Sequence, residues 1–126
     1  MYVIQYNNSR GDTVDKDTLI TNFEVELKRG TQTLQVLYLL KKEQYGYSLL
    51  QALEEKAIQI EAGTLYPLLR RLETQGLLVS NWDTTESRPR KYYMLSEFGD
   101  EVLSHLLNTW EYNTKQMRQL IEGEEK

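Results

Sequence analysis

Between Glu61 and Leu78 the leucines Leu65, Leu68, Leu69 and Leu72 recur at three- and four-residue spacings, while Thr64, Arg70, Arg71 and Gln75 fall outside that stripe. This is the period of an amphipathic helix with one buried face. The helix opens on small residues and stops at Gly76, a residue type that accepts the left-handed conformation closing a helix. Pro67 lacks a backbone donor and crowds the preceding turn, so the first turn is expected to be irregular. Thr64, Tyr66 and the arginines then project from a short rod, as a helix entering a DNA groove presents them.

Similar periods organise the rest of the chain. Helical character begins near Thr18 and strengthens through Leu34, Leu37 and Leu40, with Gly30 expected to interrupt it; Val36, Tyr38 and Leu39 widen the apolar face toward burial on more than one side. A turn containing Gly46 leads to a second short helix, Tyr47 to Lys56, with Leu49, Leu50 and Leu53 on one side and Gln51, Glu54 and Glu55 on the other. A linker, residues 57–63, joins it to the arginine-bearing helix, and this pairing is the helix-turn-helix arrangement. Two strand-forming runs follow, 77–82 and 91–95, separated by the turn-rich Asp83-Thr84-Thr85-Glu86-Ser87-Arg88-Pro89-Arg90. They predict a β-hairpin with a basic tip, placed where a wing would lay Arg88, Arg90 and Lys91 along phosphates. Ser96 is the expected N-cap of a last helix, with Glu97, Asp100 and Glu101 at its positive end. Leu103, Leu106, Trp110, Asn113, Met117 and Leu120 form a heptad seam along it, and Leu107, Thr114 and Ile121 form a second row. One small domain cannot cover both rows, so this helix is read as a dimer interface.

The expected fold is therefore mainly α: a winged helix-turn-helix with a two-stranded β-hairpin wing and a long C-terminal dimerisation helix. Residues 1–17 are read as a flexible N-terminal arm, 18–95 as the winged-helix domain and 96–126 as the dimerisation helix.

Composition changes this picture in two places. The chain has 126 residues and no cysteine, which excludes disulfides, thiolate metal sites and thiol nucleophiles and suits a cytoplasmic protein. No apolar run approaches a membrane span, and Met1 to Asp17 has neither the basic start nor the apolar centre of a signal peptide. Fifteen lysines and arginines against 19 acids give a formal charge of -4, which taken whole argues against nucleic acid. The distribution argues the other way: from Thr64 to Tyr93 there are five basic residues, Arg70, Arg71, Arg88, Arg90 and Lys91, against Glu73, Asp83 and Glu86. Acids gather toward the two ends.

The single His105 has no companion ligands, and no glycine-rich phosphate loop, nucleophile elbow or metal-spaced cluster occurs, so neither an enzyme nor a metal or cofactor is expected. For Tyr66, Arg70 and Arg71 the ordinary alternative is a solvated helix face, with Arg71 pairing to Glu54, Glu55 or Glu73. For Trp110 it is simple filling of a helix interface.

Several motifs in register weigh on these alternatives. Leu27-Lys28-Arg29-Gly30-Thr31, Tyr45-Gly46-Tyr47, the run Gly63 to Glu73 with Gln75-Gly76-Leu77-Leu78, and Arg88-Pro89-Arg90-Lys91-Tyr92-Tyr93 with Leu95 together resemble the PadR family of bacterial transcriptional regulators. The resemblance spans about Leu27 to Gly99. Ser87 departs from it, standing where a glycine is common; so do the longer extension before Leu27 and the overall acidity. It implies a homodimeric repressor of detoxification or efflux genes that binds double-stranded operator DNA through Tyr47, Thr64, Tyr66, Arg70, Arg88, Arg90 and Lys91. It further implies dimerisation through the C-terminal and N-terminal helices, and release by a small planar hydrophobic ligand at the dimer interface, beside Trp110. The alternative from a different class is a winged-helix protein-interaction module without DNA binding, which the net acidity favours.

Overall fold

Apolar positions on four helices and one hairpin converge on a single leucine-rich core in the computed structural model, which describes residues 15–123. The elements in order are α1 (Lys16–Leu39), β1 (Gln44–Tyr45), α2 (Gly46–Glu55), α3 (Ala62–Thr74), β2 (Leu78–Asp83), β3 (Arg90–Leu95) and α4 (Glu97–Gly123). Two units divide the chain, residues 1–31 and 32–126. In the first, the described residues form the opening part of α1, where Leu19, Ile20, Phe23 and Leu27 are exposed. The arm expected over residues 1–17 lies, up to residue 14, outside the described residues.

The expected break at Gly30 does not occur, because α1 runs through it from Lys16 to Leu39. A lone glycine lowers helix propensity by only about 1 kcal/mol and leaves the hydrogen-bond ladder intact. α1 starts two residues before the expected Thr18, with the Leu19 amide donating to the Asp15 carbonyl at 3.0 Å.

In the second unit Val36, Leu37 and Leu40 meet Leu49 and Leu53 of α2, Leu65, Leu68, Leu69 and Leu72 of α3, Leu78, Tyr93 and Leu95 of the sheet, and Leu103 of α4. All four leucines of the α3 stripe are buried. At the end of α3 the Gly76 amide donates to the Glu73 carbonyl and the Leu77 amide to the Leu72 carbonyl, each at 2.9 Å. With Gly76 at φ +82°, this pair of bonds closes the helix in a Schellman motif and turns the chain into β2. The same bonding closes α2 around Ala57 at φ +59°, a conformation uncommon for a side chain with a Cβ.

The wing is a two-stranded antiparallel hairpin with Leu78 opposite Leu95 and Asp83 opposite Arg90. It gains a third strand that the sequence pattern did not reveal: β1 pairs with β3, Gln44 opposite Tyr93 and Tyr45 opposite Tyr92, giving the order β1-β3-β2. Two residues are too few to show strand alternation. The Gln44 side chain also donates to the Leu39 carbonyl at 3.0 Å, and the Leu95 amide donates to the Leu40 carbonyl at 2.8 Å, so the sheet is fastened to the end of α1.

Candidate nucleic-acid interface

α3 reaches the surface through the residues its leucine stripe leaves out. Thr64, Arg70 and Arg71 are exposed, Tyr66 is half-buried, and neither arginine side chain has an ion-pair partner among the described residues. Arg71 thus pairs with none of the three glutamates considered for it. The Glu61 carbonyl accepts from both Thr64 and Leu65 at 2.9 Å, so the first turn carries a tightened three-residue bond as well as the regular one. Glu61 makes no side-chain cap, and the exposed first-turn amides keep donors that anions favour.

α2 and α3 are held together where Tyr66 lies on Gly46. A Cβ at Gly46 would collide with the Tyr66 ring, so the absence of a side chain there lets the ring settle at the start of α2. Tyr47, the next residue, is exposed, and its ring stacks on Tyr45 at 6.5 Å. Tyr45 in turn meets the edge of Tyr92 across the β1–β3 pair, at 5.4 Å.

The wing brings its cations to this aromatic group. At its tip the Thr85 amide and hydroxyl donate to the Asp83 carboxylate at 3.0 and 2.7 Å, a side-chain-stabilised turn. These bonds hold the Asp83 carboxyl below its usual range. The Arg90 guanidinium lies 4.7 Å from the Tyr45 ring centre and pairs with Glu86 at 3.6 Å. Arg88 is exposed and has no ion-pair partner among the described residues.

Lys91 is placed differently from the other wing cations. Its Nζ donates to Glu73 Oε1 at 3.0 Å, and it lies 5.2 Å from the Tyr93 ring centre and 6.0 Å from that of Trp82. The Ser80 hydroxyl donates to the other oxygen of the same carboxylate. Hydrogen bonds from Ser80 and then Lys91 hold the Glu73 carboxyl below its usual range, and the bond to Glu73 raises the Lys91 ammonium above its own.

Between wing, α2 and α3 these groups enclose a cleft of about 610 Å³. It collects five of the seven sequence-predicted DNA contacts, Tyr47, Tyr66, Arg88, Arg90 and Lys91; Thr64 and Arg70 stand outside it on α3. Tyr45 and Trp82 line it as well and escaped the sequence reading, although aromatics next to Arg90 and Lys91 in a basic hairpin were the available signal. Trp110 belongs to another surface, half-exposed on α4, and does not line the groove of about 420 Å³ further along that helix, which is formed by Asn113, Thr114, Met117, Arg118, Ile121 and Glu122.

A two-helix reading head, a basic hairpin against it and a long helix beyond define a winged helix-turn-helix protein. The model of the transcriptional regulator PadR-like family matches residues 36–105, and the chain belongs to that family. It is similar to Transcriptional regulator Rv3488 of Mycobacterium tuberculosis, 35% identical over 80 residues that cover 63% of this chain and 75% of that one. The crystal structure of a PadR family transcriptional regulator from Eggerthella lenta aligns with a TM-score of 0.79 at 43% identity, covering 84% of this chain and 95% of that chain. That of a PadR family transcription regulator from Clostridium difficile aligns with a TM-score of 0.65 at 28% identity, covering 71% and 96%. The protein is thus a transcriptional regulator and not an enzyme. No helix among the described residues is long and apolar enough to cross a membrane.

Proposed function

We propose that the chain is a homodimeric repressor that binds a near-palindromic operator with α3 in the major groove and the wing along the backbone. The observation that carries this is the convergence of Arg88 and Arg90 of the wing with Tyr47 and Tyr66 of the reading head on one cleft, together with an exposed Arg70 on α3 that has no ion-pair partner among the described residues. Cations interleaved with aromatic rings suit a sugar–phosphate strand, with phosphate contacts fixing register and Thr64 and Arg70 reaching toward base edges. Residues 18–95 would serve as the DNA-binding domain, residues 96–126 as the dimerisation helix and residues 1–17 as an arm.

The apolar rows of α4 support the dimer. Trp110, Met117, Leu120 and Ile121 are 46 to 60% exposed, an unusual density of large apolar side chains for a solvated helix. Covering them with the same helix of a second copy satisfies a twofold arrangement, which would set two α3 helices about 34 Å apart on the operator. The family resemblance adds detoxification or efflux genes as targets, and a planar hydrophobic effector beside Trp110 acting through unequal affinity for the two spacings.

The test is titration of labelled DNA from upstream of the gene and its neighbours at several salt concentrations. The reading requires tight binding that weakens steeply with salt. Salt-insensitive binding, or none, would count against this reading and favour a protein-interaction module, which would keep its partner when Arg88, Arg90 and Lys91 are replaced by alanine.

A further inference from the structure

Glu73 occupies the last turn of α3, and its two carboxylate oxygens reach separate strands of the wing: Ser80 of β2 and Lys91 of β3. Among the described residues no other side chain of α3 forms an ion pair with the wing, and the bonds come from positions 7 and 18 residues further along the chain. The Lys91 side chain is 29% exposed and Glu73 31%, so the pair is partly withdrawn from water, where it is worth more than an open surface pair. The ammonium is further enclosed by the faces of Tyr93 and Trp82. A DNA phosphate approaching Lys91 would compete with an anion already bonded to it, for an ammonium whose charge that anion offsets. Arg88 carries no such competitor among the described residues.

From this geometry we infer that Glu73 is the positioning residue of the wing: it fixes the hairpin to the end of the recognition helix and withholds Lys91 from phosphate, leaving the grip to Arg88 and to Arg90, whose pair with Glu86 is longer, at 3.6 Å, and more exposed. The inference rests on the DNA-binding reading above. A carboxylate in the place a phosphate would take sets both the angle of the wing and the number of counterions that binding releases. That number is measurable, since each neutralised phosphate adds about 0.9 to the slope of log affinity against log salt, or about threefold in affinity over a fourfold change in salt.

The experiment compares the full chain with Arg88→Ala, Lys91→Met, Glu73→Gln and the Glu73→Gln/Lys91→Met double variant. The probe is a fluorescent duplex selected by the wild-type protein from a random-sequence pool. Lys91→Met keeps the apolar stem on Trp82 and Tyr93, and Glu73→Gln removes charge without volume. Arg88→Ala should lose about 0.9 of slope, whereas Lys91→Met should lose affinity with its slope unchanged. Glu73→Gln should gain about 0.9 because Lys91 is released, and the double variant should lose that gain. A slope for Lys91→Met as shallow as that of Arg88→Ala, or a Glu73→Gln slope equal to that of the double variant, overturns the inference. Should the wild type select no duplex, the DNA-binding reading fails, and the inference about phosphate with it. The clasp itself is read without DNA by trace acylation of lysines: Lys91 must label severalfold faster in Glu73→Gln than in wild type, and equal rates would show that the clasp is not present in solution.

Discussion

Substituting alanine for Gly99 should destabilise the protein although it places a better helix former in a helix. Ser96 caps α4, its hydroxyl accepting from the Gly99 amide at 2.8 Å and donating to the Gly76 carbonyl at 2.6 Å, while the Ser96 amide donates to the Leu77 carbonyl at 3.0 Å. Gly99 is therefore the third residue of the helix, where a glutamate would complete a capping box. It cannot be accommodated, because a Cβ at Gly99 would run into the Leu77 carbonyl oxygen, with the carbonyl carbon at 2.9 Å and Leu95 Cδ2 at 3.1 Å. Relief requires α4 to move off the α3–β2 junction, which strains or breaks the Ser96–Leu77 bond, worth about 1 kcal/mol. Overpacking adds about 1–3 kcal/mol. The propensity gain of up to about 1 kcal/mol opposes both, leaving a net loss of about 2 kcal/mol. For a chain of this size that lowers the midpoint by roughly 8 °C. Thermal unfolding followed by circular dichroism at one fixed chain concentration measures it, since association shifts the midpoint. Gly63→Ala is the control: nothing lies within 4 Å of its Cβ position, so the same change should be neutral or raise stability by about 0.5 kcal/mol. A Gly99→Ala midpoint at or above wild type would refute the close approach of α4 to Leu77.

The other Schellman closure predicts the opposite sign. Ala57→Gly relieves a left-handed alanine at φ +59° and should raise stability by about 1 kcal/mol in urea unfolding. Leu120→Glu, on the exposed seam of α4, should leave the midpoint of the isolated fold near wild type but give a monomer by light scattering, whereas a persistent dimer would move the interface off this helix. The Glu73 carboxyl, lowered in the folded state first by Ser80 and then by Lys91, contributes stability that is fully present above its unfolded pKa. That contribution disappears as pH falls through the folded value, so Glu73→Gln should show a smaller loss of stability on acidification than wild type. Urea midpoints measured from neutral pH to below the ordinary glutamate range check this, and parallel curves would show that Glu73 is not shifted.

What could be read from the sequence was whatever depends on near neighbours in the chain. Leu65, Leu68, Leu69 and Leu72 share a face because of helix geometry, and all four are buried. Gly76 and Ser96 mark ends because closing and opening a helix need a left-handed residue and a side-chain acceptor, and both serve those ends. Features set by tertiary register were not legible. Arg71 and Glu73 are two residues apart and so do not face each other on a helix, and the ionic partner of Glu73 is 18 residues on. β1 is a strand only because β3 lies beside it, and Tyr45 enters the cleft only through that pairing. Gly30 costs propensity at one position, which the continuous hydrogen-bond ladder of α1 absorbs without a break.

The acidity of the chain becomes intelligible once its charges are placed. On the proposed DNA face Glu73 neutralises Lys91 and Glu86 pairs with Arg90, which leaves Arg70, Arg71 and Arg88 without ion-pair partners among the described residues. The acids Glu97, Asp100, Glu101, Glu111 and Glu122 all lie on α4, and at physiological salt charges more than about 10 Å apart hardly sense one another. A face with so few free cations would neutralise few phosphates, so one reading head would hold arbitrary DNA weakly. Adequate operator affinity then requires base contacts from α3 and the simultaneous engagement of two heads, where the second binding event is intramolecular and gains from effective concentration. Under the proposed function the modest charge of each head is what makes occupancy depend on the dimer and on the spacing it imposes. A small change at the α4 seam would then be multiplied into a large change in DNA binding, whereas a strongly basic head would stay on DNA whatever the dimer did.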